Sequence, residues 1–188
     1  MQKKERSGAP VGNRVSTVYL LTCAAIGVSG GILLWGATAL ATVLYVTIPF
    51  ISVALAGVWL LPAVVGLRLL HRPLAGLLVG LVSGVVVLPY LVTNVWWAFF
   101  AELPFVLLLY RRWDTWLHYL GAAVVGILYP ILAASSYNLW TQPVWAQLSF
   151  FALTLGSCLA GTFVGILIAD RLHAAGVARL ARKTDAAD

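Results

Sequence analysis

Glu102 is the residue with the most chemistry to offer, because it stands alone. The other charged side chains gather at the two chain ends and in short turns, whereas Glu102 lies inside the apolar run that follows Asn94. An ionisable group at membrane depth is costly and marks a functional site by default. A carboxyl there can pair with a cationic or amino-substituted ring, carry a proton, or, more plainly, hydrogen-bond a neighbouring helix. Amides and aromatics crowd one set of turns nearby: Asn94 beside Trp96 and Trp97, then Tyr137, Asn138 and Trp140, with Gln142 and Trp145 following. Trp and Tyr form belts at membrane interfaces, but amides among them can read a flat polar heterocycle while the rings stack on it. Trp59 falls within a different apolar run and lines the same site or simply packs. The expected substrate-binding set is therefore Glu102, Trp59, Asn94, Trp97, Tyr137, Asn138 and Trp140.

The elements that must hold these residues are helices in a bilayer. Of 188 residues, 62% are hydrophobic and 10% charged, with mean hydropathy +0.96, where a soluble domain carries about 25% charged residues. Without water in the bilayer core every backbone polar group must be paired internally, so spans are helices or closed barrels. The apolar runs here are continuous rather than alternating, which excludes barrel strands. Six spans are expected, near 15–36, 46–67, 74–91, 95–110, 116–136 and 145–170. The fold class is an all-α integral membrane protein, a six-helix bundle over 15–172 between tails 1–14 and 173–188.

Charge sets the orientation. Lys3, Lys4, Arg6 and Arg14 precede the first span; Arg68 and Arg72, then Arg111 and Arg112, occupy alternate turns; Arg171, Arg179, Arg182 and Lys183 follow the last. Cytoplasmic loops collect such residues, so both termini are expected in the cytoplasm of a cell-membrane protein. The uncharged turns 37–45, 90–95 and 137–145 then face outward. On that orientation Glu102 is expected about 10 Å below the outer surface at roughly 1.5 Å per residue. The net charge of +6 is accounted for by topology and does not call for nucleic acid.

Several chemistries are excluded. Lysine occurs only at positions 3, 4 and 183, so no G-x-x-x-x-G-K-[ST] phosphate loop exists and ATP would have to be hydrolysed by partners. Gly27-Val28-Ser29-Gly30-Gly31 matches G-x-S-x-G, but His71, His118 and His173 fall at cytoplasmic helix ends while Ser29 lies mid-membrane, which leaves the serine without a base. Neither the histidines nor Cys23 and Cys158 have metal-ligand spacing, so no metal and no cofactor is expected. In the first span Ala24, Ala25, Gly27, Ser29 and Gly31 repeat at the small-xxx-small spacing that lets a helix approach closely. The partner is either another helix of the bundle or another subunit.

Three stretches carry a resemblance: 56–86, AGVWLLPAVVGLRLLHRPLAGLLVGLVSGVV; 99–113, FFAELPFVLLLYRRW; and 159–177, LAGTFVGILIADRLHAAGV. Together they resemble the substrate-binding S components of energy-coupling-factor (ECF) vitamin transporters, and among them the YkoE family associated with thiamine and its hydroxymethylpyrimidine precursor. The resemblance implies a six-helix bundle with an outward pocket, and a first-helix surface at Ala25 and Ser29 that docks on a transmembrane T subunit driven by two ATPases. It maps the acid of the fourth helix to Glu102 and the indole of the second to Trp59. Where family members can carry an acid upstream of that indole, this chain has Ser52, Val53 and Ala54. Capture of thiamine or hydroxymethylpyrimidine from outside is thus expected, with Glu102→Gln weakening it by about 1.5–3 kcal/mol, the range for a hydrogen bond to a charged group. The rival expectation is a self-sufficient proton- or ion-coupled carrier that uses Glu102.

Overall fold

The computed structural model describes residues 17–176 and is helical throughout. Its helices are α1 (Thr17–Thr47), the single turn α2 (Pro49–Ser52), α3 (Ala56–Leu70), α4 (Ala75–Val86), α5 (Leu91–Leu107), α6 (Thr115–Ala133) and α7 (Val144–Ala174). Short 3-10 turns at Val53–Leu55, Leu88–Tyr90 and Leu139–Thr141 join them. Among the described residues five segments are long and apolar enough to cross a membrane: Thr17–Thr47, Pro49–Leu70, Leu88–Leu107, Thr115–Ala133 and Val144–Ala174. The sixth expected span, 74–91, is α4 and its 3-10 extension; α4 has 12 residues, about 18 Å at 1.5 Å each, against a hydrocarbon core of about 30 Å. The tail residues 1–14 and the distal basic residues Arg179, Arg182 and Lys183 lie outside the described residues.

The first helix differs most from expectation. Residues 37–45, expected as an outer loop, continue α1 to Thr47. Nothing between Gly36 and Pro49 breaks a helix, since threonines are held by their own backbone: Thr42 and Thr47 donate to the carbonyls of Thr38 and Val43 at 2.9 Å each. The chain turns only where Pro49 removes an N–H and fixes the backbone for a new start.

α3 is the centre of the bundle. Apart from Arg68 in its last turn it is apolar all round, as suits a helix surrounded by others, and 10 of its 15 residues are buried. It meets α7 at two glycines: a Cβ on Gly57 would run into the Ser157 carbonyl oxygen, and one on Gly161 into the Gly57 carbonyl. That contact also satisfies a helix start, where the first backbone donors have no intrahelical partner. Gly57 N–H donates to Ser157 Oγ at 2.9 Å, and Ser157 Oγ donates to the Ala54 carbonyl at 2.6 Å.

The small residues of α1 divide between two faces. Gly27 and Gly31 press on α4, where added Cβ atoms would lie 2.6 Å from Val82 Cβ and Val86 Cβ, and Gly30 presses on Pro62 of α3. Ala24 is half-buried, while Ala25 and Ser29 are exposed on the outer side of the helix. The close approach is therefore internal for the glycines, and the Ala25/Ser29 face is free of the bundle.

Candidate functional site

Two polar clusters form at opposite ends of the bundle. At one end the chain reverses from α3 to α4 and from α5 to α6, and every lysine or arginine among the described residues is found there or at the end of α7. Arg68 binds Asp170 of α7 through Nε to Oδ1 at 2.9 Å and Nη2 to Oδ2 at 3.3 Å, and donates to Thr115 Oγ1 at 3.2 Å. The Arg72 guanidinium lies 5.5 Å from the Tyr19 ring centroid.

Glu102 belongs to this end. It lies five residues before the end of α5 at Leu107, and its side chain is fully buried. Oε2 accepts the Leu77 backbone N–H at 2.8 Å, and Oε1 accepts the Tyr110 hydroxyl at 2.8 Å. Tyr110 in turn accepts the Leu74 N–H at 3.4 Å, so one carboxyl and one phenol hold the first turn of α4. Burial, and then the Glu102 carboxyl beside it, push the Tyr110 phenol up to about 12, which keeps it a neutral donor across the physiological range. Leu74, Leu109 and Tyr110 adopt positive φ of 64°, 51° and 55°, a left-handed conformation that costs a side-chain-bearing residue roughly 1–2 kcal/mol. The hydrogen bonds around Glu102 offset that strain.

The other end holds a cavity of about 670 Å³, within the 300–1,000 Å³ usual for small-molecule sites. Its walls come from the last turns of α1 (Thr38, Thr42, Tyr45), the start of α3 with the turn before it (Ser52, Trp59), the start of α5 (Thr93, Trp96, Trp97) and the end of α6 (Tyr129, Ser136, Tyr137). Rings brace one another: Trp97 and Tyr129 have centroids 5.0 Å apart, Trp59 and Tyr90 5.5 Å, and Tyr45 and Tyr137 5.2 Å. Ser52 Oγ and Tyr137 Oη are 2.9 Å apart, and Tyr45 Oη donates to the Ser136 carbonyl at 2.8 Å, tying α1 to the end of α6. The buried Oγ1 of Thr38 has no hydrogen-bond partner among the described residues. Among the described residues no charged side chain lines the cavity.

Of the residues expected to bind substrate, Trp59, Trp97 and Tyr137 meet in this cavity. Asn94 is buried and donates to the Tyr90 carbonyl at 3.1 Å. Asn138, at φ 48°, makes the turn into Leu139–Thr141, and Trp140 is 58% exposed. Glu102 is about one and a half turns beyond Trp97 along α5 and outside the lining. Thr38, Thr42 and Tyr45 were missed, because 37–45 reads as a loop. Their i, i+4, i+7 spacing in an otherwise apolar stretch was the available signal, a polar stripe on one helical face.

The fold that carries this cavity is shared with a solved S-component of an ECF transporter, which matches with a TM-score of 0.77 over 93% of this chain and 97% of its own, at 17% sequence identity. The chain belongs to the family described as ABC-type cobalt transport system, permease component, which matches residues 18–128. No curated protein sequence matches it.

Proposed function

We propose that this protein is the substrate-capture subunit of an ECF-type ABC importer in the cell membrane, taking thiamine or its hydroxymethylpyrimidine precursor from the outer side. The observation that carries the reading is the cavity of about 670 Å³, walled by indoles and phenols at the end of the bundle away from the arginines of the described residues. The positive-inside rule places the arginine end in the cytoplasm, so the cavity opens outward and both termini are cytoplasmic. Trp59, Trp97 and Tyr137 sandwich the ring, and the hydroxyls of Thr38 and Ser52 address its polar edge. Glu102 contributes by fixing α4. The family membership and the S-component fold support transport as the activity. A transmembrane T subunit and two ATPases supply the energy, with the exposed Ala25/Ser29 face of α1 as the docking surface.

Intrinsic tryptophan fluorescence of the purified chain tests the reading, since Trp59, Trp96 and Trp97 all line the cavity. Saturable quenching by thiamine or hydroxymethylpyrimidine, together with uptake into proteoliposomes only when the ATPase partners are present, is the expected result. Uptake by the chain alone down an ion gradient would replace it with the self-sufficient carrier.

A further inference from the structure

We infer that the cavity selects by the sign of charge: it takes flat heteroaromatic solutes that are neutral or singly positive, and rejects their phosphate esters and bare divalent metal ions. The inference rests on the small-molecule capture reading and deepens it.

The lining gives the reason. Seven aromatic rings contribute to the wall, Tyr45, Trp59, Tyr90 and Trp96 together with Trp97, Tyr129 and Tyr137. Ring faces carry negative potential and attract a cation lying within about 6 Å, so a delocalised positive ring is stabilised and a neutral one stacks. The polar side-chain atoms available are all uncharged: the hydroxyls of Thr38, Thr42, Ser52, Thr93 and Ser136, the phenols, and the indole N–H groups of Trp59, Trp96 and Trp97. Thr42 and Ser52 already donate to the carbonyls of Thr38 and Pro49, which leaves the unpartnered Thr38 Oγ1 as a free polar handle. A phosphate group would enter with its negative charge opposed by the ring faces and with no arginine, lysine or histidine among the described residues of the wall. The arginines among the described residues all lie at the other end of the bundle. Removing such a charge from water without a counter-charge is prohibitive unless it is paired.

The same lining opposes a bare metal ion, although the family's description names cobalt. Divalent cobalt is held by imidazole, thiolate or carboxylate donors, and the cavity wall contains none of them. Among the described residues no three His, Cys, Asp or Glu come together anywhere. Glu102 is the nearest carboxyl in sequence to the cavity-lining Trp97, and its oxygens are taken by Leu77 and Tyr110.

The test compares matched pairs on the detergent-purified full chain by tryptophan quenching: hydroxymethylpyrimidine and its monophosphate, thiamine and its monophosphate, pyridoxine and its 5′-phosphate, with cobalt chloride alone beside them. For whichever parent binds, its phosphate ester should bind at least about 100-fold more weakly, as an unpaired buried charge requires, and cobalt should give no saturable response. Esters as tight as their parents, or saturable cobalt binding, would overturn the charge rule while leaving capture itself intact. Binding of the pyridoxine pair alone, parent preferred, would retain the charge rule and discard the thiamine assignment. Silence from every compound would remove both.

Discussion

The Glu102 carboxyl and the Leu77 backbone N–H are joined at 2.8 Å between two helices 25 positions apart in sequence. Their bond explains how so short a helix as α4 survives in the membrane. At about 18 Å it cannot bring both ends to water, and unpaired backbone groups within lipid cost several kcal/mol each. Each end is served by a side chain from elsewhere. Glu102 and Tyr110 hold the first turn, and at the other end Trp35 Nε1 donates to the Val86 carbonyl at 3.0 Å. A carboxyl is the suitable group at the start, because helix N-termini carry partial positive charge.

Glu102→Ala should therefore lower stability rather than affinity. It strands the Leu77 N–H and the Tyr110 hydroxyl, which costs about 1–3 kcal/mol per buried unpaired group. Thermal unfolding in detergent should show the loss, with Glu102→Gln milder because the amide keeps one acceptor. Ligand affinity of the folded fraction should stay within about twofold. A large fall in affinity with unchanged melting would make Glu102 a ligand group.

Gly57→Ala should abolish the fold. The new methyl meets backbone, the Ser157 carbonyl, and not a side chain that could swing aside; overpacking of a rigid contact is among the most damaging single changes. Gly36→Ala is the control: no atom lies within 4 Å of its Cβ position, and replacing glycine within a helix gains about 0.5–1 kcal/mol. Size-exclusion profiles of the two variants separate the outcomes. A monodisperse, normally melting Gly57→Ala protein would show that α3 and α7 have room for a methyl group between them.

Much of the helical layout was legible because apolar runs and arginine-bearing turns are local signals. The site was less so. Glu102 stood out by type, but its partners come from α4 and the α5–α6 turn, and no pattern in the chain announces that Leu77 needs an acceptor. Trp59, Trp97 and Tyr137 could be picked as candidate aromatics, yet Trp140 and Trp145 have the same type and are 58% and 72% exposed. Which aromatics turn inward depends on helix rotation in the bundle. The Thr38 wall was hidden by a boundary: a threonine-rich end of α1 looks like a turn until its side-chain bonds back to the helix are seen.

Trp59→Ala should weaken the ligand without harming the fold, since the indole is half-buried and borders the cavity beside Tyr90. Losing one stacking ring costs about tenfold in Kd, near 1.4 kcal/mol. Because Trp59 is itself a reporter, the affinity is best read by calorimetry. An unchanged Kd would put the ligand elsewhere than this cavity.

The outer face of α1 supplies the last prediction. Ala25 and Ser29 are exposed while Gly27 and Gly31, on the same helix, are buried against α4. Small exposed residues allow another helix to approach in lipid, where association depends on close packing more than on hydrophobicity. Replacing both with tryptophan should leave the bundle and its cavity intact, so ligand affinity stays within about twofold. Binding to the transmembrane partner, and hence ATP-driven uptake in reconstituted vesicles, should fall at least about tenfold if that surface is the dock. Gly31→Leu supplies the contrast, since its side chain would collide with Val86 inside the protein and should cost stability before assembly. Full uptake by the double tryptophan variant would move the docking surface to another helix.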